Sequence, residues 1–147
     1  MTGLLCLAAA SVSDIRTKTV PDIIWWIMGA EALILMLLRP SELSPGPLFE
    51  CLFVIFVQEH IMSRFYGMAD SHAFSCCMLM MALRGIGLEG HIAHMTLSLV
   101  LLTASQAACR NIGRDGKLKN PVPFIPYISV SFLCIMALYG SAFRDCF

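Results

Sequence analysis

The stretch Val20-Pro21-Asp22-Ile23-Ile24-Trp25-Trp26-Ile27-Met28-Gly29-Ala30-Glu31-Ala32-Leu33-Ile34-Leu35-Met36-Leu37-Leu38 decides the fold class. Beyond Asp22 its one ionisable side chain is Glu31. A bilayer is crossed by about 20 apolar residues, with a working range of roughly 17 to 25, and this run fits that length. Outward from it, Gly46 to Val57, Ile92 to Ala108 and Val122 to Phe143 meet or approach the same length with few charges. Thr2 to Ser13 is short, and Ala73 to Leu88 carries Arg84 near its end, where a long side chain can snorkel to an interface. Breaks fall between the runs, at Arg39-Pro40, at Ser44-Pro45-Gly46-Pro47, at Gly85, Gly87 and Gly90, and along the polar link Asn111 to Pro121. The expectation is an all-α polytopic membrane bundle of about six transmembrane helices, with residues 1–147 forming a single integral-membrane domain. No internal repeat or low-complexity tract interrupts it.

Composition supports that reading. Of 147 residues, 58% are apolar and 14% charged, and the mean hydropathy is +0.76. Soluble domains run nearer half apolar and a quarter charged, and a short chain buries the smallest fraction of its surface on folding. An ordinary cytosolic enzyme is therefore disfavoured and disorder is excluded. Ten basic residues balance ten acidic ones, so no positive field attracts nucleic acid. The partners expected are a lipid bilayer and a protein substrate. Seven cysteines, at 6, 51, 76, 77, 109, 134 and 146, form no C-x-x-C pair and sit mostly in apolar runs. They read as small core fillers rather than a disulfide framework or a structural metal site. Met1 to Ser13 has no basic n-region, so no cleaved signal peptide is expected.

Cytoplasmic loops retain more Lys and Arg. The linkers after the first, third and fifth helices hold Arg16, Lys18, Arg64, Arg110, Arg114, Lys117 and Lys119, seven in all, against Arg39, Arg84 and Arg144 on the other side. This split puts both termini outside a cell membrane, and Asp14 and Asp70 at the cytoplasmic face.

Carboxylates at a membrane boundary need a partner or a task. Glu31, in mid-helix, is either a protonated acid packed against the bundle or a group that contacts substrate or handles protons. Asp70, in Gly67-Met68-Ala69-Asp70-Ser71-His72, could be a helix N-cap. Asp14 ends its helix, where an anion is disfavoured unless Arg16 pairs with it. Two carboxylates at one membrane face also meet the need of aspartic proteolysis, in which one acid is protonated and one ionised.

These residues resemble the type IV prepilin peptidases, integral-membrane aspartic proteases of the GxGD type. Asp14-Ile15-Arg16 followed by Val20-Pro21-Asp22 looks like that family's D-I-R…I-P-N segment. Gly67-Met68-Ala69-Asp70 falls where the family has G-x-G-D, and Pro121-Val122-Pro123-Phe124-Ile125-Pro126 resembles the P-F-x-P stretch opening its last helix. The resemblance implies a membrane-embedded endopeptidase that removes the basic leader of prepilin-like substrates at the cytoplasmic face. Its catalytic pair would be Asp14 and Asp70, with Gly67, Ala69, His72 and Glu31 around the substrate and with no cofactor or metal. Three positions depart from the family: Ala69 replaces the second glycine, Asp22 an asparagine, and His72 a common lysine. If position 69 requires a positive φ, Ala69 is strained. The cysteine-bearing zinc segment of larger members is not found in this sequence, which implies proteolysis without methyl transfer.

Two other readings remain. A small proton or cation transporter would spread Asp14, Glu31, Asp70 and His72 through the depth of the bundle; a noncatalytic assembly relative would keep the fold alone. His91 and His94, with Glu89, have a spacing that could serve a metal, and are otherwise expected at an interfacial surface on the side opposite Asp70. Within the catalytic reading, Asp14 and Asp70 should lie close enough to share a proton or a water. Helix position alone makes Asp70 the ionised member and Asp14 the neutral one.

Overall fold

The structure, a computed structural model, describes residues 2–38, 45–112 and 122–144. Among them the chain is all-helical, with no strand. The helices are α1 (Thr2–Thr17), α2 (Ile23–Leu38), α3 (Pro45–Val57), α4 (Ser63–Tyr66), α5 (Met68–Ala82), α6 (Leu88–Ile112) and α7 (Ile125–Arg144). A π turn at Gln58–Met62 joins α3 to α4 in one continuous rod. Each expected run contains a helix, but several ends differ. The first run extends through Asp14 to Thr17. There the Thr17 hydroxyl bonds the Ser13 carbonyl at 2.9 Å, and Lys18, at φ 56°, donates its N–H to the Asp14 carbonyl at 3.0 Å. The third run continues well past Val57, because Gln58 to Tyr66 contains no helix breaker.

The fourth run stops at Ala82 rather than Leu88. Gly85 takes φ 72° and lets the Ile86 N–H reach back to the Met81 carbonyl at 3.0 Å, the helix-ending turn that glycine makes without steric cost. Arg84 therefore lies exposed in the turn, not snorkelling from inside a helix.

α5 is the central element. Eight of its residues are buried, from Ser71 round to Ala82, the serines Ser71 and Ser75 among them. It packs on α2, α3, α6 and α7, while α1 lies between α2 and α7. Phe74, fully buried, stands in a cluster with Leu7, Met28, Ile128 and Phe132. Cys51 and Cys77 are fully buried fillers, as read from their apolar settings; Cys134 faces outward.

Among the described residues no helix is long and apolar enough to cross a membrane. α1 and α2 have 16 residues each, about 24 Å of rise against a hydrocarbon core of roughly 30 Å. The outer surface is nonetheless strongly apolar: Phe65 is 78% exposed, Trp26 75%, Leu38 73% and Phe49 72%. Of the basic residues on which the expected orientation rests, Arg39, Arg114, Lys117 and Lys119, and the side chains of Arg110 and Arg144, lie outside the described residues.

Candidate active site

The end of α1 and the starts of α5 and α7 meet at one end of the bundle. α1 runs antiparallel to α7, and the half-buried Asp14 accepts the backbone N–H of Ile125, the first residue of α7, on Oδ2 at 3.1 Å. The proline-rich approach to α7 makes this possible: Pro126 sits in the first turn, where no intrahelical N–H is lost. Arg16, which could have paired with Asp14, is exposed. Asp14 instead sits at the positive end of a helix 111 positions away in sequence.

Asp70 is the third residue of α5, half-buried, and three residues ahead of the apolar run that starts at Ala73. It is not the N-cap. Gly67 holds that place, at φ 103° and ψ 158°, without a side-chain cap bond. A side chain there would be strained, and a Cβ would stand 3.8 Å from Asp70 Oδ2. Ala69, where the family pattern has glycine, is an ordinary helical residue, and Lys18 is the non-glycine residue with positive φ among those described. The anticipated strain at Ala69 is absent.

Burial pushes the Asp70 carboxyl up to about 7, and the nearby Asp14 charge adds to the rise. The two carboxylates, fifty-six positions apart in sequence, thus sense each other electrostatically. The rise at Asp70, which leaves it close to half-protonated near neutrality, runs against the ionised role read for it from helix position alone. Asp14 accepts the Ile125 N–H. Tyr66, near Asp70, packs its ring edge-on against Phe74 and Phe124 and donates its hydroxyl to Gln58 Oε1. Burial raises that hydroxyl to about 12, opposed by the Gln58 bond and aided by Asp70 and Glu59.

The other expected site residues lie elsewhere. His72 pairs through Nδ1 with Glu59 Oε2 at 2.8 Å, on a different face of α5 from Asp70. Glu31 stands beside Gly3, whose Cβ would approach its Oε2 to 3.3 Å. Gly3 is eleven residues from Asp14 on α1, about 16 Å of helix, so Glu31 is not brought to the pair.

His91 and His94 are not interfacial. They are 2% and 0% exposed and pack edge-on against Phe74. His94 Nε2 meets the Ile128 carbonyl at 3.0 Å, and His91 Nε2 meets Gln58 Nε2 at 3.2 Å. Among the described residues no three His, Cys, Asp or Glu side chains gather as a metal would require. Sequence reasoning missed Gln58, Glu59 and Tyr66. Their one signal was polarity directly after an apolar run.

No family model, curated protein or solved structure gives a significant match to this chain.

Proposed function

We propose that the protein is a membrane-embedded aspartic endopeptidase of the prepilin type, cutting the basic leader from a pilin-like precursor at the cytoplasmic face of the cell membrane. The observation carrying this reading is the electrostatic coupling of Asp14 to a half-buried Asp70 at one end of the bundle. The apolar exterior supports the membrane setting, since contiguous exposed apolar surface requires lipid or a partner to cover it.

In the mechanism, Asp14, held by the α7 N-terminus, takes a proton from a water. Asp70 donates its proton to the oxygen of the scissile carbonyl. The water oxygen bonds to the carbonyl carbon and a neutral tetrahedral diol forms. Asp14 then returns a proton to the leaving nitrogen while Asp70 recovers one from the diol, and the C–N bond breaks. The two carboxyls titrate as a coupled pair.

The test is co-expression with pilin-like precursors, read as a mobility shift of the leader-bearing protein. Cleavage is expected with the natural chain and is lost with Asp14→Asn or Asp70→Asn, because an amide neither accepts the water proton nor donates to the carbonyl. Full cleavage by either variant would sink the aspartic-protease reading.

A further inference from the structure

A separate cavity of about 370 Å³ opens between α2, α5 and the π turn, lined by Trp25, Trp26, Asp22, Glu59, His72 and Ser75. It contains neither Asp14 nor Asp70. Glu59 is fixed by two donors, His72 Nδ1 at 2.8 Å and Ser75 Oγ at 2.6 Å. A carboxylate has about four lone-pair sites, so Glu59 retains acceptor capacity for a third donor. Asp22 supplies a second carboxylate on the rim. Trp25 is only 6% exposed, yet its indole N–H has no hydrogen-bond partner among the described residues. That N–H is sealed from the cavity, so Trp25 presents its ring, not its donor, to the space.

The walls thus offer aromatic surface and two anionic acceptors. We propose that this cavity binds a lysine side chain presented by a protein partner. The four methylenes lie along the indole rings, and the ammonium donates to Glu59 and Asp22 and faces an aromatic ring. An aminophospholipid headgroup is the poorer fit. Its phosphate, two carbons from the ammonium, would meet carboxylates, and no Lys or Arg among the described residues lines the cavity. This inference goes beyond the peptidase reading, because no step of it uses the Asp14–Asp70 pair.

Trp25 and Trp26 are the two tryptophans of the chain and both line this cavity, so intrinsic tryptophan fluorescence reports on it, through the buried Trp25 and through Trp26, whose exposed face also senses the micelle. The full chain, purified in uncharged detergent micelles, is titrated with N-acetyl-lysine methylamide, with its neutral isostere N-acetyl-norleucine methylamide, and with phosphoethanolamine. A saturable change with the lysine probe is expected, with both others about tenfold weaker or more, as loss of one desolvated charge pair implies. Asp22→Asn, at an exposed position, should raise the lysine half-saturation concentration about threefold, and Glu59→Gln further. Equal response to norleucine, tighter response to phosphoethanolamine, no saturable response to lysine, or unchanged half-saturation in Asp22→Asn would each overturn the proposal. The Asp22 variant keeps the test decisive if Glu59→Gln fails to fold.

Discussion

An acid whose proton affinity rises on folding costs stability once it ionises. Asp70, raised from an ordinary value of 3.8 to about 7 by burial and by Asp14, binds more protons in the folded chain than in the unfolded one across that interval. The stabilisation is fully present below about pH 4 and is lost as pH climbs through 7. Asp70→Asn should therefore flatten this slope and be the more stable protein at pH 8, by about 2 kcal/mol after discounting for partial exposure. Thermal melts at pH 5 and pH 8 measure it; a natural chain that gains stability between those values would contradict the assignment. Gly67 and Ala69 make a second contrast. At φ 103° and ψ 158° only glycine is unstrained, so Gly67→Ala should cost about 1–3 kcal/mol. Ala69→Gly, which restores the GxGD pattern, should cost up to about 1 kcal/mol through lost helix propensity. If the Ala69→Gly melt rises instead, position 69 is under the strain that its helical φ denies. Both aspartates were legible as candidates from their places at the edges of apolar runs. The partner of Asp14 was not, because the N–H that it accepts belongs to Ile125, and nothing local to Asp14 announces it.

At the scale of elements, the π turn does what no single residue does: it turns Gln58 and Glu59 inward at the point where an apolar helix becomes polar. Ser71, fully buried on α5, donates its hydroxyl to the Gln58 carbonyl, which also receives the Ser63 N–H. A side chain inserted into the backbone ladder is a recognised cause of such widening. Ser71→Ala should lower stability by about 1 kcal/mol, the net worth of one buried hydrogen bond. The control is Thr96→Ala, whose exposed hydroxyl bonds the Ile92 carbonyl at 2.8 Å and whose loss should change the melting temperature little. Equal shifts in the two variants would remove Ser71 from the account of the turn. Apolar runs located six helical rods, since hydropathy reports directly on what must be kept from water. They did not locate the helix ends, which are set by Gly85, by the Thr17 hydroxyl and by the polar residues that carry α3 on to Tyr66. Nor could they locate the turn itself, because a π turn arises from tertiary insertion and leaves no period in the sequence.

At the scale of the whole molecule, two features bear on orientation. The Ile125–Asp14 bond and the Tyr66–Phe124 ring contact gather the ends of α1 and α4 with the starts of α5 and α7, the ends that carry Arg16, Lys18 and Arg64. Exposed apolar side chains meanwhile occur on every long helix except the central α5 beyond its first turn, among them Leu5, Trp26, Phe49, Ile92 and Leu138. A water-facing bundle would leave that surface to aggregate; a lipid-facing one would cover it. The short helices do not by themselves decide between these, since a stretch shorter than the hydrocarbon core can be met by local thinning of the bilayer. Retention in the membrane pellet after an alkaline carbonate wash is expected, and complete release would reject the membrane setting. A reporter fused after Lys117 should then read as cytoplasmic and one after Ser44 as external. The inverted result would leave the helical packing untouched but place Asp14 and Asp70 on the face away from a cytosolic leader. The proposed function therefore depends on orientation as much as on the carboxylate pair.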